Sequence, residues 1–392
     1  MSKFFGYIEG YYGKLLSFKE REDICDYLYK FSFNTYLYAP KEDLFHRLGW
    51  KTFYSSDWLE SFRKFIKYAL KKNIEVVPSI SPGLSFDYSK DSDYHILLKK
   101  LSIFTEIGAR TLALLMDDIP NTLSGKAAKS FSSLGEAHGR LLSRLLNDIH
   151  KRCPKANLWF CPTVYADSLA KEGIKNSTYL KDLAVAAPDN VSILWTGPKI
   201  ISQNINKNNI IEISNIFNGN VIIWDNIYAN DYCPFKIFLG PYLGREQNIL
   251  QYTKGILLNP TGMLSTDSFL LSCYSCLKDN KSPINVWNKA LKDFAIPKQF
   301  YEISKFFYLP FFNISKKDLS RNKILEYKKA LKYLIWEWKS PIQREWYPFF
   351  YMLDNDLNLF FNKKNLSNVT NLINTKYSFI ISQLIKGNLK IN

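Results

Sequence analysis

The chain has 392 residues, a hydrophobic fraction of 46%, an aromatic fraction of 16% and a formal net charge of +16. That much apolar material builds one large core and a smaller one, and it excludes a disordered chain. No apolar run reaches the roughly 18 residues that span a bilayer, and MSKFFGYIEG leads straight into a core-strand pattern with no leader-like stretch, so the expected location is the cytoplasm.

Short β-rich runs then recur along the chain. They are FFGYIEG (4–10), NTYLYAP (34–40), EVVPSIS (75–81), TLALLMD (111–117), NLWFCPTVY (157–165), VSILWTG (191–197), NVIIWDN (220–226) and KGILLNP (254–260). Between them lie amphipathic segments such as 17–31 and 132–152. In the latter, Leu141, Leu142, Leu145, Leu146 and Ile149 recur at helical spacing. Strands that are nearly continuous in apolar residues, each followed by a helix, predict a parallel sheet covered on both faces. Eight such units in the first 278 residues predict a (β/α)8 TIM-type barrel. The rival, an open doubly wound sheet, often carries a glycine-rich phosphate turn, and none is present.

The pattern changes after residue 278. A polar segment with a proline stop, 279–285, reads as a linker, and 286–392 shows helical periodicity with little strand character. The expectation is a small all-helical C-terminal domain with helices over 318–339 and 341–364, separated at Pro341. Residues 281–392 hold 19 Lys and Arg against 8 Asp and Glu. Those cations are spread out and not gathered in one run, so nucleic acid is not the expected partner.

The six cysteines are scattered, which argues against a disulfide framework. Cys273 and Cys276 form one CxxC on an apolar helical stretch, without the second pair or the histidines that a zinc site needs. No two of the four histidines have ligand spacing in a suitable context. Neither a metal nor a cofactor is expected.

In such a barrel the active site lies at the C-terminal ends of the strands. Here those ends are polar and aromatic: Glu9-Gly10-Tyr11-Tyr12, Lys41-Glu42-Asp43, Asp117-Asp118, Tyr165, Trp195, Trp224-Asp225-Asn226 with Asp231 beyond, and Asn259. Flat rings stack on the apolar faces of pyranoses, and amides and carboxylates bind hydroxyls. The rim therefore suggests a sugar site. Asp117-Asp118 is the catalytic candidate. Taken alone, an Asp pair reads first as a turn or a helix cap. At a strand end within this rim, the two carboxylates repel and partial burial favours the neutral form, so one acid should stay protonated beside an ionised one. Glycoside cleavage needs that combination.

The motifs GYIEGYYG, NTYLYAPKED, ISPGL, LALLMDDI, FCPTVY, LWTGPKI, VIIWDNIYANDY, FLGPY and KGILLNP, in this order over residues 4 to 277, resemble the family 84 glycoside hydrolases. That family holds protein O-GlcNAcases and bacterial β-N-acetylglucosaminidases once described as hyaluronidases. The resemblance implies a retaining exo-β-N-acetylglucosaminidase, whose substrate is terminal β-linked GlcNAc on protein or glycan. In it, Asp117 orients and polarises the acetamido group, and Asp118 acts as general acid and then general base. Tyr165 donates to the developing oxazoline. Trp224 lines the acetamido methyl pocket, and Asn226 binds near Asp117. Asp231 and Asn259 hold the 4- and 6-hydroxyls, Gly10 and Lys41 the 3-hydroxyl. The pattern departs at Val164, where animal members carry a polar residue, and at Tyr228, where they carry a histidine; both bear on aglycone preference. Two other functions compete: a GlcNAc-binding protein without activity, and a protein acting through its basic C-terminal region. Oligomeric state is not legible.

Overall fold

The structure, a computed structural model, describes residues 3–123, 125–312 and 314–362. Eight strands, β1 (Phe4–Glu9), β2 (Thr35–Tyr38), β3 (Glu75–Ile80), β4 (Thr111–Leu115), β5 (Asn157–Cys161), β6 (Ser192–Trp195), β7 (Val221–Asp225) and β8 (Gly255–Leu258), close into a parallel barrel in chain order. The closing seam pairs Phe4 with Gly255 and Tyr7 with Leu258. The alternation of apolar side chains fills the interior: Ile8, Leu37, Val77, Ala113, Leu115, Trp159, Leu194, Ile222 and Leu257 form one buried cluster. The fold is the expected (β/α)8 barrel.

Helices α1 (Phe18–Lys30), α2 (Ser56–Leu70), α3 (Asp91–Glu106), the short α4 (Ala127–Ser130), α5 (Leu134–His150), α6 (Thr178–Ala186) and α7 (Lys207–Ile216) connect the first seven strands. Their starts are written in the sequence. Ser17 and Glu20 form a reciprocal capping box on α1, and Ser55 and Ser133 cap α2 and α5. One expected helix is missing: between β7 and β8 the described chain makes only a 3-10 turn, Gln247–Gln251. Pro234, Gly240, Pro241 and Gly244 fall in that stretch, and prolines and glycines interrupt a helix.

The described residues divide into two compact units, one of residues up to 226 with 244–262, the other of 227–243 with 263–362. The division falls differently from an expected boundary at 278, because α8 (Leu264–Asp279) packs within the second unit. That unit also holds α9 (Pro283–Asp293), α10 (Gln299–Ile303), α11 (Arg321–Lys332) and α12 (Pro341–Asn362). Phe269 of α8 meets Phe294 and Trp346 edge-on at 5.7 Å. Helix α8 has no side-chain cap of its own. Instead the Glu345 carboxylate accepts from Ser265 N at 3.0 Å and from Thr266 N at 2.7 Å. In place of a linker over 279–285, α9 begins at Pro283. The single helix expected over 318–339 is broken: Ser320 caps α11, and the chain widens into a π turn at Tyr333–Glu337. The rest of the expected helical domain, beyond 362, lies outside the described residues. Among the described residues no helix is long and apolar enough to cross a membrane.

Candidate active site

The strands stop short of the chemistry. Sequence pattern runs the fourth strand to Asp117 and the fifth to Tyr165, whereas β4 ends at Leu115 and β5 at Cys161. One further ladder bond, Met116 N to Cys161 O at 2.8 Å, holds the exit of β4. The chain then turns at Asp118, whose φ of +54° lies in the left-handed region. Asp tolerates that region better than most side chains, yet it remains a strained choice that the surroundings must enforce. The two carboxylates on either side of this turn have different partners.

Asp117 faces Lys41, whose Nζ donates to Oδ2 at 2.6 Å in a pair that is almost wholly buried. Burial alone would raise the Asp117 carboxyl, but the Lys41 ammonium, and then the Arg47 guanidinium, outweigh it and hold it below the usual carboxylate range. Its other oxygen, Oδ1, is buried and has no hydrogen-bond partner among the described residues. An ionised oxygen left in this state lacks a donor, and a buried polar atom without one is costly to keep.

Asp118 is the opposite case. It presents surface to solvent while protein crowds round it. That crowding, and then the negative charge of Asp117, push its carboxyl up against the opposing influence of Lys41 and Tyr165. A ligand that displaced the remaining water would push it further. Tyr165 Oη donates to Asp118 Oδ1 at 2.8 Å, and the Tyr165 carbonyl is itself held by Thr196 N at 2.8 Å. Burial, and then the charges of Asp118 and Asp117, push the Tyr165 phenol well up, so it is a hydrogen-bond donor at any working pH.

Trp224, Asn226, Asn259 and Gly10 form a second constellation of the same unit. Trp224 Nε1 and Asn259 Nδ2 both donate to Asn226 Oδ1 at 2.9 Å, and Asn226 Nδ2 donates to Ile200 O at 2.9 Å. Asn226 is thus oriented by these three groups. Gly10 N donates to Asn259 Oδ1 at 3.2 Å. A Cβ on Gly10 would stand 2.5 Å from Trp224 Cζ2, so only glycine lets the first strand end cross this ring. Asp231 lies in the other unit, in the 227–243 segment, where its Oδ1 accepts from Tyr232 N at 3.0 Å.

Three rim carboxylates are committed elsewhere. Glu9 takes a two-pronged bond from Arg21 at 2.8 and 2.9 Å and another from Tyr36. Asp43 accepts from Tyr38 and Tyr54 and from Phe45 N, which shapes the loop that carries Lys41. Asp225 is paired with Arg245 in a buried ion pair. Arg47 escaped the sequence reading. It is half-buried, its Nη1 donates to Tyr12 Oη at 2.5 Å, and its charge bears on both acids. Its position six residues after Lys41, on the same rim loop, was the available signal.

Known proteins agree with this architecture. A variant of the O-GlcNAc hydrolase of Thermobaculum terrenum shares the fold, with a TM-score of 0.81 at 24% identity over 98% of this chain and 95% of that one. The protein O-GlcNAcases of Rattus norvegicus and Mus musculus are each 36% identical over 256 residues, which is 65% of this chain. The chain spans only 28% of the length of those two relatives. The family model for beta-N-acetylglucosaminidase matches residues 5–308. From these matches, the chain belongs to the beta-N-acetylglucosaminidase family.

Proposed function

We propose that the protein is a retaining exo-β-N-acetylglucosaminidase that removes terminal β-linked GlcNAc from protein or glycan, using the substrate's own acetamido group as nucleophile. The observation that carries this reading is the split pair: Asp117 held ionised by Lys41 with one oxygen unpartnered among the described residues, and Asp118 pushed towards its protonated form one residue away.

Asp117 Oδ1 accepts the acetamide N–H, which turns the amide oxygen towards the anomeric carbon. That oxygen attacks C1 as the bond to the aglycone oxygen breaks. Asp118 passes its proton to the leaving oxygen. The positive charge that develops on the acetamido group lies against the Asp117 carboxylate, and Tyr165 donates to the cyclic intermediate, an oxazoline. Asp118, now ionised, takes a proton from water, whose oxygen attacks C1 and reopens the ring. Two displacements at C1 leave the configuration retained. The scheme explains why adjacent acids suffice, since neither reaches across the sugar as a nucleophile.

Trp224 forms the wall for the acetamido methyl, and Asn226 fixes that wall through its indole N–H. By the same resemblance, Gly10 and Lys41 hold the 3-hydroxyl, and Asn259 shares the 4- and 6-hydroxyls with Asp231. The test is turnover of 4-nitrophenyl β-GlcNAc with NMR detection of the first anomer, repeated with an N-trifluoroacetyl substrate. Retention with a steep loss on fluorination is expected. An inverted first anomer, no turnover, or indifference to fluorination sinks the proposal.

A further inference from the structure

Behind the acids lies a chain of buried and half-buried polar groups that the reaction does not touch. His138, on α5, is buried between two phenols: Tyr88 Oη at 2.6 Å from Nε2, and Tyr179 Oη at 2.8 Å from Nδ1. Tyr179 Oη also accepts the backbone N–H of Thr163 at 3.0 Å. Thr163 Oγ1 in turn donates to the carbonyl of Met116 at 2.8 Å. That carbonyl belongs to the peptide plane that delivers the nitrogen of Asp117. Thr163 also stands two residues before Tyr165 on the exit of β5.

From these contacts we infer that Thr163, held by the Tyr88–His138–Tyr179 chain, is the positioning residue that sets Tyr165 against Asp118 and enforces the strained turn between the two acids. The inference deepens the proposed function, on which its kinetic part rests. Three observations converge on it. Asp118 has positive φ, and a strained residue persists only where its neighbours over-determine it. The clamp acts on the exit of β4 and the exit of β5 at once, and those two exits carry the partners of the 2.8 Å Tyr165–Asp118 bond. The chain is also rigid in charge. Burial holds His138 down to about 3, so it stays neutral and keeps one ring nitrogen as donor and the other as acceptor. Edge-on packing of the imidazole against Phe160 of β5 at 5.3 Å fixes the ring from a further side.

The test uses the full chain and four substitutions. Thr163→Val and Tyr179→Phe remove one hydroxyl each and keep the shape. Thr163→Ser and His138→Gln keep the hydrogen-bonding groups. With ¹³C-labelled aspartate, the carboxyl titration of Asp118 is followed by NMR, and kcat/KM is measured across aryl and alkyl β-GlcNAc leaving groups. Loss of the clamp lengthens the Tyr165–Asp118 bond, which normally favours the ionised acid. The Asp118 titration is therefore expected to move up in Thr163→Val and Tyr179→Phe. Activity on poor leaving groups is expected to fall on the order of 10- to 100-fold, with little loss on activated ones. Thr163→Ser and His138→Gln restore both. A merely structural role lowers the melting temperature and the active fraction but leaves the titration and the leaving-group slope where they were, and that result overturns the inference. Should one of the two hydroxyl-deleting variants fail to fold, the other decides. If the wild type turns over no β-GlcNAc, the proposed function fails, and the carboxyl titration alone still decides the inference.

Discussion

Replacing Lys41 by Met should move the acid limb of the pH–rate profile. The ammonium stands 2.6 Å from the Asp117 carboxylate. At an effective dielectric of about 20, that contact has a gross Coulomb energy of about 6 kcal/mol. Desolvation of both groups cancels much of it, but deleting one partner of a buried pair still costs about 3–5 kcal/mol, because the other charge is stranded. Asp117 escapes that cost by taking up a proton. In the wild type the Asp117 carboxyl is held down by Lys41 and Arg47, so its stabilising ionised form persists to low pH and is lost only as pH falls through that depressed value. In Lys41→Met burial is left largely unopposed, and the same loss occurs at higher pH. The acid limb of kcat/KM should move up towards neutrality. At pH 7 the loss should be roughly 150-fold if about 3 kcal/mol of the stabilisation reaches the transition state. Lys41→Arg keeps the charge and should keep the limb. Rates from pH 3 to 9 on 4-nitrophenyl β-GlcNAc check this. A variant with a uniformly raised KM and an unmoved acid limb would mean that Lys41 serves only as a hydroxyl contact, and the electrostatic account of Asp117 would fall.

Asp118→Ala should spare activated aryl glycosides, lose activity on alkyl glycosides, and form a β-glycosyl azide when azide is added, as mass spectrometry can show; equal losses on both substrates would remove Asp118 from the general-acid role. Gly10→Ala forces its new Cβ to within 2.5 Å of Trp224, so a stability loss of about 1–3 kcal/mol by urea titration, together with a raised KM, is expected. Glu345→Ala uncaps α8 and should cost about 1–3 kcal/mol, read as a lower thermal midpoint, whereas Glu345→Gln keeps one acceptor and should lose less. Truncation before 286 strips Phe269 of Phe294 and Trp346 and should leave an aggregating product in size-exclusion chromatography.

The sequence by itself determined the eight strands, the capped helices after most of them and the rim on which functional groups stand. These features are local. Alternation of period two, helical period, serine caps and turn residues act over a few residues, and they are read where they stand. The Asp117-Asp118 pair and its likeness to a known family were legible for the same reason. What each rim carboxylate does was not. Glu9, Asp43, Asp117 and Asp225 are all acids at or just beyond strand ends, and only tertiary contacts separate them. Arg21, twelve residues from Glu9, and Arg245, twenty from Asp225, consume two of them, and two tyrosines consume the third. Lys41, 76 residues away, leaves Asp117 ionised with one oxygen unpartnered among the described residues. The left-handed turn at Asp118, the Thr163 clamp and the packing of α8 with the second unit were likewise decided by distant partners. Charge states and backbone strain are fixed by burial and by opposite charge in three dimensions, and no window of sequence contains those partners.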